Sequence, residues 1–419
     1  STIPSIASGT VFMFSEEFAQ RLVDLEVTGR SGVQTDQTAD DPILQGGGTG
    51  PFMFESYEPS VKVVTKKNPN YFKAGLPFLD EVHDVQMLDS TARFAALTAG
   101  KIHQAGEGSS SLLPAQVQQV RSRFGDKVAL SWTGSPGQQG FSYNQTKPPF
   151  DDPRVRKALD LVLDRQAWAK IQGADADGNF GNARISGIQA WGTQWALSDE
   201  ELNSFPGYRQ PKAEDIAEAQ RLLKEAGYEN GFEATCMTRT AQNYMDVCLF
   251  GMEQWRTTLG LDIKARFLEP AASTEAALSC NYDIYVTWSS GTSVLQDPDW
   301  TLWRGFHTDS KASGNPCDRR FDGTSYQKEM DGMMADLLTT LDPAQKKALG
   351  NEIEKSYILD SIPYSGLGWT MYNYGNSPQV RGANWYNYGT YIYHVMPEMI
   401  WLSDDGARWW EGFYANWKG

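Results

Sequence analysis

The run from Trp288 to Trp303, "WSSGTSVLQDPDWTLW", brings together large aromatic rings, small hydroxyl side chains and carboxylates. Aromatic faces supplemented by a few polar groups are what a cleft uses to hold a sugar ring or a peptide, by stacking and hydrogen bonding. On that ground Trp288, Ser289, Ser290 and Asp297 are expected to contact a ligand. The plainer reading is a loop in which Trp300 and Trp303 anchor a helix to the core, and for these two rings it is preferred.

Catalysis would need a constellation that the chain does not offer. There is no serine nucleophile elbow, no phosphate-binding loop, no dinucleotide fingerprint and no HExxH zinc motif. His83, His103, His307 and His394 stand far apart in the sequence; His307 with Asp309 is the donor pair weighed for a metal, and a metal is not expected there. The pairs Asp40-Asp41, Asp151-Asp152 and Asp404-Asp405 read as turns, helix caps or solvated surface. A glycoside hydrolase, which needs two carboxylates at a set separation, stays only as a weak alternative. The expectation is therefore a protein that is not an enzyme and carries no cofactor and no metal.

Cys236, Cys248, Cys280 and Cys317 contain no CxxC pair, which argues against a zinc ribbon or a thioredoxin-like redox site. Buried thiols or one or two disulfides remain, with Cys280 to Cys317 the preferred pairing.

The elements that must position these residues follow from periodicity. "DSTARFAALTAG" reads as a helix capped by Asp89 or Ser90 and stopped at Gly100, with strands at "VKVVTKK" before it and at "VALSW" and "FSYN" after it. Pro148 and Pro149 are expected to hold the next connection extended and stiff. Asp152 then caps a helix whose Val155, Ala158, Leu159, Val162 and Leu163 form one buried face, with Arg154 and Arg156 as surface or inter-helix ion-pair partners. "AEDIAEAQRLLKEAG" is an amphipathic helix closed by Gly227. After it come a strand at "FEATC", a helix from about Gln242 to Leu259, a strand at "LDIKARF", a short helix near Thr274 to Leu278 and a strand at "YDIYVTW". This is a βαβαβ series, and such series bind ligands beyond the carboxyl ends of their strands, here at Trp288. Helices broken at "LDPAQ" and a strand-like aromatic tail from Tyr364 complete the pattern, while the glycines at 46, 47, 48 and 50 mark a loop.

A chain of 419 residues is too long for one core, so two or three domains are expected. The formal net charge of -15 would repel nucleic acid and anionic membrane surfaces. No run of 18 apolar residues is present, and the chain reads as a soluble protein of the kind left after a leader is removed.

Three stretches in order resemble the extracytoplasmic solute-binding proteins of the peptide, nickel and oligosaccharide class, family 5. They are "GTGPFMFESYEPSVKVVTKKNPNYFKAGLPFLDEV", "FSYNQTKPPFDDPRVRKALDLVLDRQAW" and "YRQPKAEDIAEAQRLLKEAGYENGF". The resemblance implies an α/β, two-lobed periplasmic-binding-protein-like fold of type II, in the large cluster with an extra subdomain, incomplete here at the N-terminus. It implies residues 1–47 as a remnant of that subdomain, 48–143 as part of lobe I, 144–370 as lobe II, and 371–419 as a return to lobe I with the tail. It also implies a receptor in the periplasm or on the outer face of the cytoplasmic membrane. Such a receptor delivers a solute to an ABC permease by hinge closure, and a separate N-terminal polypeptide is expected to complete the fold.

Peptide-binding members place an acidic residue soon after the tryptophan that matches Trp288, whereas this chain has Ser289, Ser290, Gly291 and Thr292. Unless Asp297 reaches in, the anchor for a peptide ammonium is missing, and an oligosaccharide or other neutral solute is preferred over an oligopeptide. Tyr143 and Asn144, at the crossing between lobes, and Trp191 and Trp369 complete the expected ligand-binding set. "GKIHQ" departs from the usual pattern at His103, to which no role is given. A scaffold that keeps the fold but docks a partner through Trp409, Trp410 and Trp417 is the remaining alternative.

Overall fold

The computed structural model describes residues 50–58, 61–87, 89–105, 111–172, 183–189, 193–288, 297–309, 317, 325–359, 362, 364–381 and 400–403. The expectations placed on residues 1–47 and on Trp409, Trp410 and Trp417 lie outside this set. The described residues fall into two compact units, one ending at Ser131 and resuming at Asn373, the other running from Trp132 to Tyr372. The chain passes between units within two strands, Ala129–Tyr143 and Tyr364–Asn376.

In the first unit β1 (Phe52–Glu58), β2 (Lys62–Lys67) and β3 (Glu81–Val85) form an antiparallel sheet in that order. Val64 on the central strand is buried, while Met53, Phe72, Phe78 and Val85 are exposed. Helix α1 (Ser90–Thr98) starts where the Asp89 carboxylate accepts the Ala92 N–H at 2.7 Å. It stops at Gly100, whose φ of 70° is the left-handed region that favours glycine. Strand β4 (Gln104–Ala105) and helix α2 (Pro114–Gln119), which runs on as a π-helical turn over Val120–Phe124, complete a small core of Phe94, Leu97, Leu112, Val117, Val120 and Val128. The His103 backbone carbonyl accepts the Ser377 N–H at 2.7 Å.

Strand β5 (Ala129–Tyr143) is continuous where the sequence suggested two strands, at "VALSW" and "FSYN". Pairing on the sheet overrides the local propensity, and the glycines have a use there. A Cβ on Gly140 would lie 2.1 Å from the Ser365 carbonyl oxygen of the neighbouring strand, so only glycine permits that approach. After Tyr143 the chain turns instead of extending: the N–H groups of Phe150 and Asp151 both donate to the Lys147 carbonyl, at 3.1 and 3.2 Å.

Helix α3 (Pro153–Leu161) begins with the Asp152 carboxylate accepting the Arg154 N–H at 2.8 Å. The expected face is buried throughout, and Leu161 joins it. Arg154 pairs with Asp152 on the surface, but Arg156 does not fit the expectation. It is buried and donates to the carbonyls of Ile362 (3.2 Å), Phe150 (2.8 Å) and Asp151 (3.3 Å). Orphan carbonyls around a buried turn need donors, and a guanidinium supplies several in one plane.

The chain continues through α4 (Arg165–Ile171), β6 (Ala183–Arg184), α5 (Asp199–Ser204) and α6 (Ala213–Glu225), the last closed by Gly227 at φ 84°. The βαβαβ series then follows as β7 (Glu233–Arg239), α7 (Gln242–Leu259), β8 (Asp262–Leu268), α8 (Pro270–Leu278) and β9 (Ile284–Trp288). β7 lies parallel to both β8 and β9. Trp255 of α7 fills the core against Phe141 and donates its indole N–H to the Leu159 carbonyl at 2.9 Å. Asp299–Trp303 is π-helical and leads into α9 (Arg304–Phe306). α10 (Ser325–Thr339) and α11 (Pro343–Ile353) follow, with Asp342 capping α11 through the Gln345 N–H at 2.8 Å. α11 runs on as a π-helical turn from Glu354.

Strand β10 (Tyr364–Asn376) gives the second unit a sheet of order β10-β5-β9-β7-β8, with β6 paired to β10. In the first unit β4 pairs with the end of β10, and β11 (Val380–Arg381) pairs with β12 (Trp401–Leu402). Cys280 is joined to Cys317, the preferred pairing, and Cys236 to Cys248. Among the described residues no helix is long and apolar enough to cross a membrane.

Candidate functional site

The carboxyl end of β9 is the natural place to look, since open α/β sheets bind ligands beyond strand ends. Trp288 is the last residue of β9 and lies opposite Gln139 in the register with β5. Ser289, Ser290 and Trp191 lie outside the described residues. The chain is described again from Asp297, and here the second unit gathers charge.

Lys346 of α11 places its ammonium 3.1 Å from Asp297 Oδ1 and 3.1 Å from Asp299 Oδ2. Asp297 Oδ1 also accepts the Asp299 N–H at 3.3 Å, and its carbonyl accepts the Thr301 N–H at 3.0 Å. The Asp297 side chain keeps 35% of its surface in solvent, against 13% for Lys346. Partial burial and the neighbouring Asp299 push the Asp297 carboxyl up to about 6, with Lys346 acting in the opposite sense. A half-buried carboxyl of this kind gains from a cation that approaches it from solvent.

Two turns beyond Lys346, at the start of the π-helical turn that continues α11, Glu354 is fully buried. Its Oε1 accepts the backbone N–H groups of Ile188, by a short contact, and of Gln189, at 3.3 Å. Burial pushes this carboxyl up to about 7, against the lowering effect of the two N–H donors. The segment Ser186–Gln189 is fastened from other sides too. Gln138 of β5 donates its amide to the carbonyls of Ser186 (2.9 Å) and Gly187 (3.2 Å), and the Trp369 indole donates to Gly187 O at 2.9 Å. A Cβ at Gly187 would sit 1.8 Å from Glu354 Oε1, so a larger residue there would require the Glu354 side chain to shift.

Trp369 is thus a buried fastening of that segment, not an exposed ring. Tyr143 and Asn144 are likewise buried and held by the protein. Tyr143 stacks on Phe150 with ring centroids 5.8 Å apart and donates its hydroxyl to Ser365 Oγ at 2.8 Å. Asn144 donates to the carbonyls of Cys280 and Tyr282, both at 3.0 Å, and its Oδ1 accepts from the N–H and hydroxyl of Thr146. Trp303 packs against the core of α9, α10 and α11 and stacks on His307. Nδ1 of His307 accepts the Asp309 N–H at 3.0 Å, and no group of metal-binding side chains occurs among the described residues.

Sequence reasoning missed Lys346, Gly350 and Glu354. Their one signal was a spacing of four, which puts them on a single helix face.

The profile of the bacterial extracellular solute-binding proteins, family 5 (middle), matches residues 7–313. Among curated proteins the chain is similar to the glutathione-binding protein GsiB of Pectobacterium atrosepticum, with 26% identity over 369 residues, covering 85% of this chain and 63% of the relative. The chain therefore spans less than two thirds of that protein's length. Among solved structures it is similar to the periplasmic binding protein DppA of Helicobacter pylori in complex with the peptide STSA. That match has a TM-score of 0.69 at 20% identity, over 93% of this chain and 68% of the other. It is also similar to the dipeptide-binding protein of Pseudoalteromonas sp. SM9913 in complex with Met-Leu, with a TM-score of 0.70 at 20% identity, over 92% and 70%. The fold is the mixed α/β fold of the two-lobed periplasmic binding proteins.

Proposed function

The chain belongs to the bacterial extracellular solute-binding proteins of family 5, and from that premise we propose that it binds a short peptide or peptide-like solute and presents it to an ABC permease outside the cytoplasm. The observation that carries the peptide reading is Asp297. Its carboxyl stands where the described chain resumes after β9, partly in solvent and pushed up to about 6. A solute ammonium meeting it favours its ionised form and gains a charge-assisted hydrogen bond. Asp297 takes the part for which the residues just after Trp288 have no carboxylate. The glutathione-binding name of the relative supports the same class and weighs against the oligosaccharide preferred on sequence grounds.

The ligand contacts in this reading are Asp297 with Trp288, Ser289, Ser290 and Trp191. Tyr143, Asn144 and Trp369 serve as fastenings behind them, because each is buried and hydrogen-bonded within the protein. Calorimetry of the native protein against glutathione, Met-Leu and a panel of neutral oligosaccharides tests the proposal. Binding of a free-amino peptide supports it; binding of an oligosaccharide with no response to any peptide overturns it.

A further inference from the structure

We infer that Lys346, Gly350 and Glu354 are positioning residues of the solute site: one face of α11 fixes Asp297 at one end and the segment Ser186–Gln189 at the other, as a single unit. The functional sense of the inference rests on the proposed solute binding; its structural content does not.

The three residues are four apart, so they rise along the same side of the helix at successive turns. Lys346 holds both carboxylates of the Asp297–Asp299 turn. Pro298, between those aspartates, packs at Gly350. A Cβ at this position would lie 3.0 Å from Pro298 Cβ and 3.8 Å from the Gln189 amide nitrogen, so the glycine is the place where both segments approach the helix. Glu354 closes the far end by taking the N–H groups of Ile188 and Gln189 on one oxygen. Its other oxygen, and both amide atoms of the buried Gln189, have no hydrogen-bond partner among the described residues. A buried carboxyl in that state is expensive to ionise.

The segment is therefore proton-linked. The charged and titratable groups that act on Glu354 are few. Lys355 favours its ionised form, Glu201 opposes it, and Tyr208 feels its charge. Lys355 and Glu201 are themselves paired at 2.7 Å, so their effects largely offset. Asp297, Asp299 and Lys346 lie two turns away on the same face. Any local opening that exposes Glu354 to water lets it ionise at an ordinary pH, whereas the closed form keeps the proton until about pH 7. Opening then becomes easier as pH rises toward 7 and levels off above it.

Amide hydrogen exchange on the native, solute-free protein tests this directly. Corrected for intrinsic rates, protection at Ile188 and Gln189 is expected to fall about tenfold or more between pH 5 and pH 7.5 in the wild type, and to stay flat in Glu354→Gln. Gly350→Ala is expected to lower protection about tenfold at Ile188, Gln189 and Thr301 together, by crowding Pro298, while Met237 in the β7–β8 pair stays as it was. If that variant does not fold, Lys346→Met takes its place, with protection falling at Thr301 and at Ile188 together. The inference is overturned if Glu354→Gln keeps the wild-type pH dependence, if Gly350→Ala affects one end alone, or if Lys346→Met leaves Thr301 or Ile188 unchanged. No solute enters this test, so a failure to bind peptides would sink the proposed function and leave this result to be judged by itself.

Discussion

Lys346 Nζ stands 3.1 Å from Asp297 Oδ1, a contact between α11 and the residue at which the described chain resumes after β9. The lysine is mostly buried, so it counters part of the burial penalty on a carboxyl that Asp299 also raises. Lys346→Met removes the cation that, among the described residues, lowers the Asp297 pKa. Its titration is expected to move upward from about 6, read from the carboxyl carbon shift in NMR. An unchanged or lower midpoint would show that the lysine does not act on Asp297.

Glu354 gives a stability prediction whose sign follows from its direction of shift. Its folded pKa is raised from 4.5 to about 7, so the folded protein holds a proton that the unfolded chain has already released. The corresponding stability is complete below pH 4.5 and is lost as pH rises through 7. Glu354→Gln cannot ionise and escapes this loss. It is expected to exceed the wild type by about 3 kcal/mol at pH 8 and to converge on it near pH 4.5, in denaturant unfolding curves. A variant that is less stable than wild type at pH 8 contradicts the reading.

Asn144 joins the end of β5 to the chain entering β9 through the carbonyls of Cys280 and Tyr282. Asn144→Ala leaves both carbonyls buried without that donor and is expected to cost about 2 kcal/mol. Because the side chain is buried, solute affinity at a temperature where the variant is folded should change less than about twofold, within the scatter of exposed-site changes. A large affinity loss with normal stability would move Asn144 back among the ligand contacts.

The Cys280–Cys317 disulfide closes a loop of sequence separation 37 beside Asn144. Cys280→Ser is expected to lower unfolding free energy by about 4 kcal/mol on the chain-entropy account. The measurement is a thermal melt of both proteins under oxidising conditions. Equal melting temperatures would mean that the bond adds nothing to the folded state.

The fold was legible where periodicity and caps agree. The buried face of α3, the caps Asp89, Asp152 and Asp342, and the βαβαβ series all follow from local sequence. What was not legible depends on long-range proximity. The strands expected at "VALSW" and "FSYN" are one strand, and the close approach of Gly140 to Ser365 within it is a feature no local pattern announces. Arg156 looked like a surface charge because the carbonyl of Ile362 that it satisfies is remote in sequence. Glu354 and Ile188 are separated by 166 residues, so the fastening of Ser186–Gln189 emerges only in three dimensions. At the site, the sequence singled out Asp297 as a carboxylate to examine, but not its partner Lys346.

The central claim, that Asp297 meets the amino group of a peptide solute, is tested most directly by calorimetry of wild type and Asp297→Asn. The solutes are glutathione and Met-Leu, each with a free and an acetylated amine, at pH 5 and pH 7.5. The account predicts that the wild type binds a free-amino form more tightly at pH 7.5, where Asp297 is ionised, than at pH 5. Acetylation and Asp297→Asn should each weaken binding by about tenfold or more, with no further loss when combined. Equal affinity for free and acetylated peptides, unchanged by Asp297→Asn, would contradict it.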